Sequence, residues 1–129
     1  MNQFHSADHL YDTLHALFAQ LQADPAAIAS FTSSNLVIRM IIEEPDAEVL
    51  LDGRQPPLEV FYGPRPGQAN LEIRLTSQLL HEIWSGTQEM SQALFSGQIQ
   101  TTGNVMKATP LLDLFRECQR CYPTIIQQD

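Results

Sequence analysis

Cationic side chains are scarce in this chain: Lys and Arg number 7 against 15 Asp and Glu, and the formal net charge is -8. Phosphate recognition needs clustered Lys and Arg, and Arg39, Arg54, Arg65, Arg74, Lys107, Arg116 and Arg120 are dispersed. No nucleic-acid partner is expected. An anionic membrane surface would repel the molecule as a whole, so any lipid contact has to be apolar and transient. Long hydrophobic runs are missing too, and none approaches the roughly 20 residues that span a bilayer. Met1-Asn2-Gln3-Phe4-His5 lacks the basic start and apolar core of a signal peptide. Ile126-Gln127-Gln128-Asp129 is neither a retention nor a peroxisomal tail. The expectation is a soluble, cytoplasmic protein.

Cysteine is nearly absent. Cys118 and Cys121 are the two thiols, expected to stay reduced in the cytoplasm. Their C-x-x-C spacing is a redox spacing, but activated pairs sit at helix N-termini, where the field lowers the thiol pKa. Tyr122-Pro123 places this pair at a helix C-terminus, where the field acts the other way. A second pair that would complete a four-thiolate zinc site is missing. His5, His9, His15 and His81 are scattered, and no carboxylate or cysteine stands in register with His5 and His9. The chain has no nucleophile elbow and no phosphate-cradling glycine loop. No catalytic residue, metal site or cofactor is expected, and the chain does not read as an enzyme.

The remaining composition is that of a folded domain: 43% hydrophobic and 17% charged over 129 residues. A chain of this length buries roughly two thirds of its unfolded surface, enough for one domain (1–129) without a metal or disulfide. Ser6 is an N-cap candidate with Asp8 in the first turn. Leu10, Leu14, Leu17, Phe18 and Leu21 follow as an amphipathic stripe, which Asp24-Pro25 ends. Pro25 can itself open a short turn running through Ala26 to Phe31.

Leu36 to Glu43 alternates as a strand, apolar on both faces, so something is expected to cover part of its second face. Pro45-Asp46 marks a turn. Val49-Leu50-Leu51 reads as a short strand, with Asp52-Gly53 as a hairpin signal because glycine tolerates φ > 0. Strands follow at Leu58 to Tyr62, after Pro56-Pro57, and at Leu71 to Leu75, with Leu71, Ile73 and Leu75 pointing inward. Short connections favour antiparallel pairing.

Thr76 or Ser77 caps a helix bearing Leu79, Leu80, Ile83 and Trp84, with Gly86 as its C-terminal stop. Thr87 is a cap candidate for a segment carrying Met90, Ala93 and Leu94. Gln98 to Thr102 alternates as a fifth strand between Gly97 and Gly103, and Asn104 caps a last helix.

The order of signals from Leu71 to Phe115 resembles the sterol-binding domain of the type-2 sterol carrier proteins. The matching residues are Leu75-Thr76, Trp84-Ser85-Gly86, Leu94-Phe95-Ser96-Gly97, Ile99, and Gly103-Asn104-Val105-Met106-Lys107-Ala108. This covers about a third of the chain, and the upstream order of one helix and four strands is compatible.

The resemblance implies an α+β fold: a five-stranded, mainly antiparallel sheet covered by helices, with an apolar tunnel. It implies binding and transfer or presentation of an apolar lipid, such as a sterol, fatty acyl chain, phospholipid or prenyl lipid, without transforming it. One version is an accessory role in prenylquinone synthesis. Carried over by position, the lipid-lining residues are Leu80, Ile83, Trp84, Met90, Leu94, Phe95, Ile99, Met106, Leu111, Leu112 and Phe115. Each of these also reads as plain core filling.

The expected partners are the lipid and a transiently contacted membrane or lipid enzyme, and a homodimer is left open. The alternative is an interaction or dimerisation module with a filled tunnel that scaffolds a partner enzyme. Pro110 departs from the family pattern, because a proline inside the last helix would break its hydrogen bonding. Thr109-Pro110 can instead be an N-cap and first-turn pair that opens a separate helix beside the tunnel mouth, where a hinge could gate the ligand.

Overall fold

The computed structural model describes residues 3–127. Five helices lie on one face of a five-stranded sheet, and each segment forms for a local reason. Helix α1 (Ala7–Gln22) starts where the Ser6 hydroxyl accepts the His9 N–H at 3.1 Å. Its stripe of Leu10, Leu14, Leu17, Phe18 and Leu21 is wholly buried. A turn after Pro25 leads to the short α2 (Ala29–Thr32).

The strands are β1 (Leu36–Glu43), β2 (Ala47–Gly53), β3 (Glu59–Tyr62), β4 (Leu71–Thr76) and β5 (Gln100–Gly103), in spatial order β3-β2-β1-β4-β5. Three of the four pairings are antiparallel, and β1 runs parallel to β4, with Ile38 opposite Leu71 and Glu43 opposite Thr76. The sheet is therefore mixed and mostly antiparallel. Leu36, Ile38, Met40, Ile42, Val49, Leu51, Leu71, Ile73 and Leu75 face the helices and are buried.

The parallel pair requires the chain to travel from edge strand β3 to the far side of β1. Residues 63–70 make this crossing over the sheet's outer face. Three strand spacings are about 14 Å, well within the reach of eight residues. Pro64 and Pro66 stiffen the span. Arg39 on the outer face of β1 donates to the carbonyls of Arg65 (3.0 Å) and Gly67 (2.8 Å), and it pairs with Glu48 and Glu72 at 3.4 Å each. Asn70 closes the crossing by exchanging two 2.8 Å hydrogen bonds with the Val37 backbone. The cover that β1's second apolar face calls for is thus this strap.

β2 extends beyond the expected Val49–Leu51, and Asp52-Gly53 is not a hairpin turn. Gly53 pairs with Leu36 inside the ladder. A Cβ there would lie 2.6 Å from the Phe31 carbonyl oxygen and 2.7 Å from a Phe31 ring carbon. The glycine serves a close approach of α2 to the sheet, not a positive φ. Asp52 accepts the Arg54 backbone N–H at 3.1 Å and its guanidinium at 3.0 and 2.7 Å, which turns the chain. Those Arg54 hydrogen bonds hold the Asp52 carboxyl below the ordinary carboxylate range, against the opposing effect of burial.

Helix α3 (Ser77–Ser85) is capped by the Thr76 hydroxyl, which accepts from Leu79 N–H at 3.1 Å, and it stops at Gly86 in the left-handed region (φ 86°). Thr87 does not cap α4 (Met90–Phe95). Its hydroxyl donates back to the Glu82 carbonyl, and Glu89 stands at the cap position.

The last segment is divided before Pro110, but Thr109 is not the cap: Ala108 stands at that position without a side-chain hydrogen bond, and Thr109 is already helical. Asn104 caps a single 3₁₀ turn (Val105–Ala108), Lys107 is non-helical, and α5 (Thr109–Ile126) begins with Pro110 in its first turn. Helix α5 does not end at Tyr122-Pro123 as the sequence suggests but continues to Ile126. The hydrogen bond lost at Pro123 is offset by burial of Tyr122 (0% exposed) and Ile125 (7%). Cys118 and Cys121 consequently lie inside the helix, buried and unpaired with each other. Burial pushes the Cys118 thiol well up from its ordinary value, which makes it an unreactive core side chain.

Candidate functional site

α3, the start of α4 and α5 converge on one cleft. Thr76 and Gly86 fix both ends of α3, so Ile83 and Trp84 point toward α5. Gln119 Nε2 on α5 donates to the Ile83 carbonyl at 2.8 Å and ties the two helices together. Ile83, Met90, Leu112 and Phe115 form the apolar wall. Glu89, Ser91, Arg116 and Gln119 supply a polar rim, and the cleft holds about 290 Å³. Arg116 is anchored by Asp113 at 2.9 Å, and Asp113 also accepts from the Ser30 hydroxyl at 2.9 Å.

Behind this wall the interior is densely aromatic. Trp84 packs edge-on against Phe115 (5.4 Å) and Phe18 (6.3 Å) and tilted against Tyr122 (5.6 Å). Its indole Nε1 is buried with no hydrogen-bond partner in the protein. The Tyr122 hydroxyl lies 2.8 Å from His81 Nδ1. Burial lowers the His81 pKa, and Glu82 opposes this weakly.

The eleven residues expected to line a lipid site therefore fall into three places. Ile83, Met90, Leu112 and Phe115 line the cleft. Leu80, Trp84, Leu94, Ile99 and Leu111 are buried around or behind it. Phe95 and Met106 are 82% and 83% exposed, out at the margin. The polar rim escaped a reading confined to apolar residues. A helical signal for it existed: Leu112, Phe115, Arg116 and Gln119 recur at i, i+3, i+4 and i+7 on one face of α5.

Residues 14–116 match the SCP-2 sterol transfer family. The chain belongs to that family. Solved structures agree on the fold. The sterol carrier protein domain 2 of Helicoverpa armigera matches at TM-score 0.68 and 16% identity over 86% of this chain and 88% of that one. Sterol carrier protein 2 from Yarrowia lipolytica, in its apo form, matches at 0.63 and 18% over 88% and 91%. The UbiJ-SCP2 ubiquinone synthesis protein matches at 0.55 and 14% over 74% and 80%. No curated protein is significantly similar in sequence. Among the described residues, no helix is long and apolar enough to cross a membrane.

Proposed function

We propose that this chain binds an apolar lipid in the α3–α4–α5 cleft and carries or presents it without transforming it. The observation that carries the reading is the convergence of Ile83, Met90, Leu112 and Phe115 on one cleft whose rim holds Arg116 and Gln119. An acyl, prenyl or sterol body enters against the apolar wall, and its oxygen-bearing end meets the guanidinium and amide at the rim. Burial drives the binding, at about 0.8 kcal/mol per methylene removed from water. The family membership supports the same ligand class. The free, buried thiols fit a reducing compartment such as the cytoplasm.

A space of about 290 Å³ is at the lower end of the ~300–1,000 Å³ of ligand pockets. A long tail therefore requires the wall to part. The junction to do so is the non-helical Lys107 before Pro110, where the 3₁₀ turn meets α5. Leu80, Trp84, Leu94, Ile99 and Leu111 then become the deeper lining. The flexible thioether of Met90 adapts to the ligand's shape.

The densely packed interior favours a second reading, a scaffold or dimerisation module whose tunnel is filled and which serves a partner enzyme. The likeness to a ubiquinone synthesis protein is compatible with either.

The test uses Trp84, the sole tryptophan, as the donor for energy transfer to a fluorescent polyene fatty acid. Saturable transfer, lost in Leu112→Asp while the circular dichroism is retained, supports the cleft. Organic extraction of the purified protein should also release a lipid. An empty protein that takes up neither fatty acyl nor sterol probes refutes the carrier reading and leaves the scaffold.

A further inference from the structure

The sheet ends differently at its two edges. β3 is blunted: Glu59 lies within it, Pro56-Pro57 precede it, and the Arg65 guanidinium sits 3.8 Å over the Phe61 ring. Charges and prolines of this kind keep edge strands from pairing with other chains. β5 has neither. Gln100, Thr101, Thr102 and Gly103 are all exposed, and the strand pairs with β4 on one side only. Helices do not cover it even on the face they cover elsewhere.

Phe95 and Met106, the two exposed large apolar side chains among the described residues, flank this strand in sequence at its two ends. The charge distribution singles out the same edge. From Met90 to Leu112 there is no Asp or Glu, and Lys107 is the one charged residue, in a chain with 15 acidic side chains. A second copy of a molecule with net charge -8 meets no acidic side chain on β5 itself, and the charges beside it in the ladder are of both signs, Glu72 opposite Thr102 and Arg74 opposite Gln100.

We infer that β5 pairs antiparallel with β5 of a second copy, joining the two sheets into one continuous sheet. A two-fold axis perpendicular to the sheet keeps both helical layers on the same side. It also lays the Gln100 end of one β5 beside the Gly103 end of the other.

The strand's free backbone decides between this occupant and a lipid surface. Hydrocarbon satisfies neither N–H nor C=O, whereas an antiparallel strand satisfies both. The ribbon from Phe95 to Lys107 supplies about half of the ~20–30 residues per side of a standard interface. The dimer is accordingly weak and depends on concentration.

Sedimentation velocity from about 1 μM to about 1 mM spans the relevant affinities. A monomer-to-dimer transition is expected in that range. Thr102→Lys should weaken it at least about tenfold with unchanged circular dichroism and melting temperature. Mixing Thr102→Lys with Thr102→Glu should restore the dimer, because long side chains on this strand reach across the pair. A monomer at every concentration, or a dimer indifferent to Thr102→Lys, overturns the inference. So does a monomer that co-sediments with phosphatidylcholine vesicles and loses that binding in Phe95→Ser, which would assign the edge to a lipid surface.

Discussion

Gly53 offers a sharp test of how α2 is seated on the sheet. Replacing it with alanine places a Cβ 2.6 Å from the Phe31 carbonyl oxygen and 2.7 and 2.9 Å from two Phe31 ring carbons. Ordinary contacts lie near 3.5–4.0 Å, so relief needs a displacement of roughly 1 Å. The ring alone cannot supply it, because the carbonyl oxygen is part of the clash. That oxygen is held by the Ser34 N–H at 3.0 Å and the Ser34 hydroxyl at 2.6 Å, and Phe31 is fully buried. Overpacking of a core costs about 1–3 kcal/mol, and loosening the two hydrogen bonds adds about 0.5–1.5 kcal/mol each.

Gly53→Ala should therefore lose about 2–6 kcal/mol, read as a lower urea midpoint with an unchanged slope. Gly53→Asn should be as damaging or worse, since its side chain is larger. A hairpin glycine would behave in the opposite way, because asparagine tolerates the left-handed region. An alanine variant within about 0.5 kcal/mol of the parent, or an asparagine variant more stable than the alanine one, would refute the close-approach reasoning.

Two further outcomes follow from the aromatic interior. Trp84→Phe should change stability by no more than about 1 kcal/mol: the packing lost with the larger ring is offset by deleting a buried N–H that has no partner, worth about 1–3 kcal/mol. A drop in the denaturation midpoint as large as that of Phe115→Ala, about 3–5 kcal/mol, would show that the indole N–H is paired. The half-buried His81 binds its proton less readily in the folded state than in the unfolded state, where the ordinary value is 6.5. Its contribution to stability is complete above that pH and declines as the pH falls toward the lowered folded value. Melting temperature should fall less steeply between neutral pH and pH 5 in His81→Gln than in the parent, and parallel curves would count against the effect.

Much of the architecture was legible because it depends on neighbours in sequence. The stripe from Leu10 to Leu21, the Ser6 and Thr76 caps, the left-handed stop at Gly86 and the alternation of Leu71, Ile73 and Leu75 are local physics. Each appears in the structure at the expected residues. The division before Pro110 was readable only in part: proline suits a helix's first turn, but the break falls at Lys107 and Thr109 is itself helical (φ -54°, ψ -46°) rather than the cap.

Long-range decisions were not readable. The parallel pairing of β1 with β4 depends on a strap whose anchor, Arg39, lies far away in sequence. Gly53 carries the same letter whether it serves a turn or a close approach, and only the position of Phe31 distinguishes them.

The site divides along the same line. Residue types offered only candidates for its apolar wall, because lining a cavity and filling a core draw on the same side chains. Tertiary packing then assigned Ile83, Met90, Leu112 and Phe115 to a cleft, Leu80 and Trp84 to the interior, and Phe95 and Met106 to the surface. The physical reason is range: caps, turns and periodicity act over a few residues, whereas cavities and covered faces arise only when distant elements meet.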